Sequence, residues 1–198
     1  MTPMPHNPLP RALAALTLAL AAGSQAADFS FSGQMAFHND LVQIAFTVDA
    51  PGVVKLWTDS WQGGLNVDPM LSLFNGSLSL VASNDDDDSI AAGQGFYDAG
   101  LSLPLAGAYR LTLSAASNAA LGPNLSNGFT YSADAPIRLA DWVQPSSDIN
   151  LGDQKGGAWQ LHLSGVTLAA AVPEPQSLAL LLAGLLAVGL VARRRRPH

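Results

Sequence analysis

Apolar and polar residues alternate with a period of two through most of the chain between residues 27 and 171. Val42, Ile44, Phe46 and Val48 fall on one side of an extended segment and Gln43, Ala45 and Thr47 on the other, the pattern of a half-buried strand. Pro51-Gly52 then reads as a turn into Val53-Val54-Lys55-Leu56-Trp57. Leu71 and Leu73 lead into Asn75-Gly76, followed by Leu78 and Leu80; this predicts a hairpin whose two central residues both take positive φ. Leu101, Leu103 and Leu105 run through Ala106-Gly107 to Tyr109, Leu111 and Leu113, which reads as a second hairpin. In a last strand Trp159, Leu161 and Leu163 alternate with Gln160, His162 and Ser164, and polar stretches at 115–127 and 133–157 read as loops. The period of an amphipathic helix is missing throughout this region. The expected fold is all-β: an antiparallel β-sandwich of about eight strands with jelly-roll-like connections.

Both ends break the pattern. Arg11 precedes an apolar run at 12–22 that closes on Gly23-Ser24-Gln25-Ala26, small residues in the positions a signal peptidase needs. Residues 1–26 therefore read as a secretory signal helix, cut after Ala26 and handled by the Sec export machinery and signal peptidase. At the other end, Pro173-Glu174-Pro175 leads into an apolar run at 178–192 and then Arg193, Arg194, Arg195 and Arg196. That run reads as a short transmembrane helix, with the arginines snorkelling to the interface and holding the C-terminus in the cytoplasm. The expected organisation is a signal peptide at 1–26, a β-sandwich ectodomain at 27–171 and a tail at 172–198.

The three parts of that tail, in this order, resemble the PEP-CTERM sorting signal of Gram-negative bacteria. The resemblance implies that an exosortase in the inner membrane recognises and removes the tail. It also implies that the protein, anchored in the inner membrane before processing, ends at the cell surface or outside the cell, in an exopolysaccharide or biofilm matrix. A second resemblance covers most of residues 28–165, through the segments at 29–33 and 39–43, Asp68-Pro69-Met70-Leu71-Ser72-Leu73-Phe74, Asn84-Asp85-Asp86, Leu105-Ala106-Gly107-Ala108-Tyr109 and 159–165. These are similar to small exported β-sandwich proteins with PEP-CTERM tails, which in turn resemble the bacterial pre-peptidase C-terminal domain, a non-catalytic sandwich attached to secreted enzymes.

Charge sharpens this division. The formal net charge of the 198 residues is −6, but residues 27–172 hold 14 aspartates against Lys55, Arg110, Arg138 and Lys155, a net of −10. Four scattered cations make no basic stripe, which excludes nucleic acid as a partner. The chain has no cysteine, which excludes disulfides, thiolate metal sites and a cysteine nucleophile. Its only glutamate is Glu174, in the tail.

The densest charge is Asn84-Asp85-Asp86-Asp87-Asp88-Ser89. Adjacent carboxylates repel unless water, salt or a cation screens them, and calcium, which takes six to eight oxygen ligands in flexible geometry, is the natural candidate. Asp40, with Asn39, and Asp68 occupy other loop-like positions from which they could converge with Asp85, Asp86, Asp87 and Asp88, as could Asp98. The segment is not an EF-hand: counted from Asp85, Ile90 takes the place of the sixth-position glycine and Phe96 that of the final glutamate. A solvated acidic turn is the competing reading.

Catalytic motifs are missing: there is no Gly-x-Ser-x-Gly elbow, His-Glu-x-x-His or phosphate loop, and His38 and His162 read as exposed or structurally satisfied. Trp61 and Trp142, in loop-like segments, are candidates for stacking on a sugar ring, whereas Trp57 and Trp159 read as core or interface. The expectation is a non-enzymatic exported surface or matrix protein. A calcium-dependent carbohydrate- or surface-binding module is the alternative. A secreted hydrolase is the third reading and requires converging carboxylates in a pocket or a Ser–His contact.

Overall fold

The alternating stretch that begins at Val42 does form a strand, but the chain does not turn back at Pro51-Gly52. In the computed structural model, which describes residues 25–145 and 156–173, it continues to Thr58 as one strand of 17 residues. Among these residues seven strands are present: β1 (Ala27–Gln34), β2 (Val42–Thr58), β3 (Pro69–Asn75), β4 (Leu80–Asn84), β5 (Gly100–Ala115), β6 (Ala158–Val166) and β7 (Leu168–Ala171). All pair antiparallel, in the order β1-β6-β2-β5-β3-β4, with β7 on β2. Among the described residues there is no α-helix, and no helix long and apolar enough to cross a membrane. The signal helix, the transmembrane helix, Glu174, Pro175, Arg193, Arg194, Arg195 and Arg196 lie outside the described residues.

Two expected turns are bends instead. Ala106-Gly107 does not close a hairpin; it lies inside β5, 16 residues long. The two long strands pair along their whole lengths, and their register jumps once, from Val48 opposite Gly107 to Gly52 opposite Leu105. Residues 49–51 thus bulge opposite Ala106, and Gly107 takes a φ of 106° that a residue with a Cβ adopts only under strain. Both strands bend at one corner and so pass from one layer of the sandwich to the other. The chain from β6 into β7 follows them: at this corner Thr167 donates its N–H to Thr47 O at 2.8 Å and accepts Asp49 N–H on its hydroxyl at 3.0 Å. Counting each long strand once gives seven strands among the described residues, in keeping with the sandwich of about eight expected. Only β3 and β4 among them are neighbours both in sequence and in the sheet; the other connections cross between strands that do not pair.

The core lies between the two layers. Ile44 and Phe46 before the bend, Leu56 after it, Leu71 and Leu73 on β3, Leu111 and Leu113 on β5 and Leu161 and Leu163 on β6 form one buried cluster. Removing each such side chain from water contributes roughly 1.5–3 kcal/mol, the main force holding the layers together. β3 is also covered on its outer face. There Phe74 is fully buried and meets Phe129 edge-on, at 6.4 Å between ring centres, from the long loop after β5.

The β3–β4 hairpin expected at Asn75-Gly76 is present, with different turn chemistry. Gly76 is not in the left-handed region; Leu78 is, at φ 61°. Asn75 drives the turn, its Oδ1 accepting the N–H groups of Ser77 and Ser79 at 3.0 Å each, while Leu78 N–H donates to Asn75 O at 2.8 Å. A left-handed leucine costs roughly 1–2 kcal/mol that glycine avoids, partly offset by glycine's greater entropy loss. Leu78→Gly is therefore expected to raise stability by about 0.5–1 kcal/mol in chemical denaturation; a decrease would mean that the leucine side chain packs more usefully than its backbone is strained.

Candidate metal centre at the open end of the hairpin

The turn at Asn75 sets a register that places Leu71 opposite Asn84 and Ser72 opposite Ser83. Beyond this pair the strands part, toward Asp68, three residues before Leu71, on one side and Asp85-Asp86, directly after Asn84, on the other. These three carboxylates each place an oxygen within 4.8 Å of the others. Asp68 is only 2% exposed, while Asp85 and Asp86 face solvent. Asp68 Oδ2 accepts a hydrogen bond from Gln144 Nε2 at 2.9 Å; Oδ1 is sealed from water and has no hydrogen-bond donor among the described residues. Burial pushes the Asp68 carboxyl up to about 8; the charges of Asp85, Asp86 and Asp98 act in the same direction and the Gln144 bond opposes them. Asp85 is pushed up to about 6, first by desolvation and then by Asp86.

The other acidic candidates do structural work in their own turns. Asp40 Oδ2 accepts the N–H groups of Ala36 at 2.6 Å and Phe37 at 2.9 Å. Asp87 Oδ1 accepts the N–H of Ser89 at 3.0 Å and its hydroxyl at 2.6 Å, the pattern of an Asx turn. Asp88 is exposed. None of the three joins the group formed by Asp68, Asp85 and Asp86. Asp98, 1% exposed, closes the acidic loop from behind. Its Oδ1 accepts Thr58 Oγ1, Ser60 N–H and Trp61 N–H at 2.8, 2.7 and 3.2 Å, and its Oδ2 accepts Gly95 N–H at 2.8 Å.

Gln144 is the member that sequence reasoning missed. It stands 76 residues from Asp68, and no local pattern links them. It is delivered by the loop after β5, which is pinned to the segment after β1 by His38. The buried His38 ring accepts Ile137 N–H on Nδ1 at 3.1 Å, and its backbone N–H donates to Ile137 O at 3.0 Å. Tyr131 and Trp142 pack on that ring, with centroids 5.2 and 5.3 Å away. Trp142 is thus half-buried against His38, and Trp61 is half-buried too, edge-on to Tyr97 at 5.0 Å and tight against Gly95, where a Cβ would come within 2.7 Å of its ring.

A Ser–His contact is present as well. Ser30 Oγ lies 2.9 Å from His162 Nδ1, and Asp59 Oδ1 lies 3.1 Å from His162 Nε2. Ser30 and Trp57 are the cross-strand partners of His162 on β1 and β2, and Trp57 stacks on the imidazole at 5.1 Å. The arrangement is a side-chain ladder across β1, β6 and the end of β2.

Residues 171–196 match the PEP-CTERM protein-sorting motif. The chain therefore carries the signal of an exported protein that an exosortase processes, anchored in the membrane first and presented at the surface afterwards. No curated protein matches the chain.

Proposed function

We propose that this is a non-enzymatic exported protein whose sandwich, released from its tail by an exosortase, takes its place in an exopolysaccharide matrix. The sorting motif at 171–196 carries the reading. The sheet supports it. β7 ends at Ala171, and Val172 N–H bonds to Gln43 O at 2.8 Å, so a cut at or beyond Pro173-Glu174-Pro175 removes none of the described strands. The resemblance of the ectodomain to the pre-peptidase C-terminal sandwich points the same way, toward a binding or presenting module. His38 is enclosed and bonded to backbone, and His162 is held in a cross-strand ladder by Ser30 and Trp57, which supports a structural role for each.

In a host with the sorting enzyme, the wild-type chain is expected to lose its tail and leave the membrane fraction. The triple variant Pro173→Ala/Glu174→Ala/Pro175→Ala is expected to stay there at unprocessed length, as judged by mass spectrometry of the fractions. Identical masses and distributions would refute the sorting step. The released protein should be retained on the host's own polysaccharide; a hydrolytic activity that His162→Ala abolishes would instead make the protein an enzyme.

A further inference from the structure

Asp68 poses a problem that the sorting step does not address. A carboxylate is the costliest group to bury, and native proteins satisfy such groups with donors, opposite charge or metal. Asp68 has one donor, Gln144, on one oxygen only, while the other is shut away from water without any among the described residues. Across from it stand two more carboxylates. We propose that Asp68, Asp85 and Asp86 together bind a calcium ion, which clamps the open end of the β3–β4 hairpin. The inference rests on this geometry alone and holds whatever becomes of the tail.

The donor set suits calcium. Three hard carboxylate oxygens on loop backbone, with room for water on the exposed Asp85-Asp86 side, match an ion that accepts six to eight oxygen ligands in irregular geometry. Magnesium demands a near-ideal octahedron at shorter distances, which three ligands from two diverging segments do not impose. Zinc favours nitrogen and sulfur, and neither is present in the group. One ion neutralises the mutual repulsion of the trio and links residues that precede β3 to residues that follow β4. Affinity should fall near that of other extracellular calcium modules, about 10⁻⁴–10⁻³ M, so that the clamp closes once the protein leaves the cytoplasm.

The test uses the full chain in detergent, stripped with chelator and titrated with calcium chloride by calorimetry and by thermal melting. Saturable binding and a Tm rise of about 5 °C or more at 10 mM calcium are expected. Asp68→Asn and, separately, Asp85→Asn/Asp86→Asn should each weaken binding at least tenfold, whereas Asp88→Asn, in the same acidic loop, should leave it unchanged. The double variant lies at exposed positions, so it decides the matter even if Asp68→Asn folds poorly. No heat and no Tm shift up to 10 mM, an equal response to magnesium, or a calcium response that survives the double variant would each overturn the assignment. So would an equal loss in Asp88→Asn, which would reduce the effect to general screening of the loop.

Discussion

Replacing Asp98 by alanine should cost about 3–5 kcal/mol, a large share of the roughly 5–15 kcal/mol that holds a typical domain together. The carboxylate is 1% exposed and accepts four hydrogen bonds, three on Oδ1 and one on Oδ2. Two of the segments it joins are distant in sequence: residues 58–61, at the end of β2, and Gly95, in the loop before β5. Removing it strands the buried N–H of Ser60 and takes the acceptor from the part-buried N–H groups of Trp61 and Gly95, and a buried unsatisfied donor costs about 1–3 kcal/mol. Thr58 Oγ1 loses its acceptor too, although it still receives Ala99 N–H at 3.0 Å. Asp98→Asn keeps an oxygen for the Oδ1 cluster but turns an amide N–H₂ toward the Gly95 N–H, so its loss should be smaller than that of the alanine variant. Urea denaturation of both variants beside wild type is the measurement. A loss below 1 kcal/mol in Asp98→Ala would show that the loop is held by packing, with the carboxylate incidental.

Asp98 also shows how function-like signals in this sequence resolve. Its acidic character was visible, but its role depends on donors 37 to 40 residues away. Asp40 and Asp87 were equally visible, and both turn out to hold their own local turns, the common fate of aspartate in loops. The trio that does converge follows from the hairpin. Once the hairpin closes in the register that sets Leu71 opposite Asn84, the residues flanking its two strands come together at the open end, which brings Asp68 to Asp85 and Asp86. Sequence supplied the turn and the acids; the burial of Asp68 beneath Gln144 came from a loop that no periodicity describes.

The fold divides in a similar way. Alternation pointed to β2, β3, β5 and β6 because it reports burial of one face, and Trp159, Leu161 and Leu163 are indeed buried on β6. Pro51-Gly52 and Ala106-Gly107 misled because a bend and a hairpin ask for the same residues: freedom at φ and a gap in the ladder. What separates them is the partner strand. Val48 pairs with Gly107, so each interruption lies opposite the other, and the two strands turn the corner together instead of folding back. That pairing spans more than 50 residues of chain and leaves no mark within either segment.

With calcium removed by chelator, stability is expected to fall as pH rises from about 4 to about 8, and Asp68→Asn is expected to remove most of that slope. Asp68 releases its proton near 3.8 in the unfolded chain but holds it to about 8 in the folded one. Between those values the folded state binds more protons, so each step upward in pH favours unfolding; the stabilisation is complete below the lower value and gone above the higher. A pKa difference of this kind amounts to about 1.4 kcal/mol per unit, which puts the total on the order of a few kcal/mol. The groups that face Asp68 agree on the sign: Asp85, Asp86 and Asp98 all disfavour its charge, and the single neutral bond from Gln144 does not outweigh them. Asp85 titrates in the same direction up to about 6 and adds a shallower slope at the acidic end. Asparagine has nearly the same shape, keeps an oxygen for Gln144 and carries no proton to lose. The variant should therefore match wild type near pH 4 and exceed it near pH 8, as read from urea midpoints across the range. A flat wild-type profile, or a slope that survives the substitution, would mean that Asp68 is ionised and satisfied without a metal.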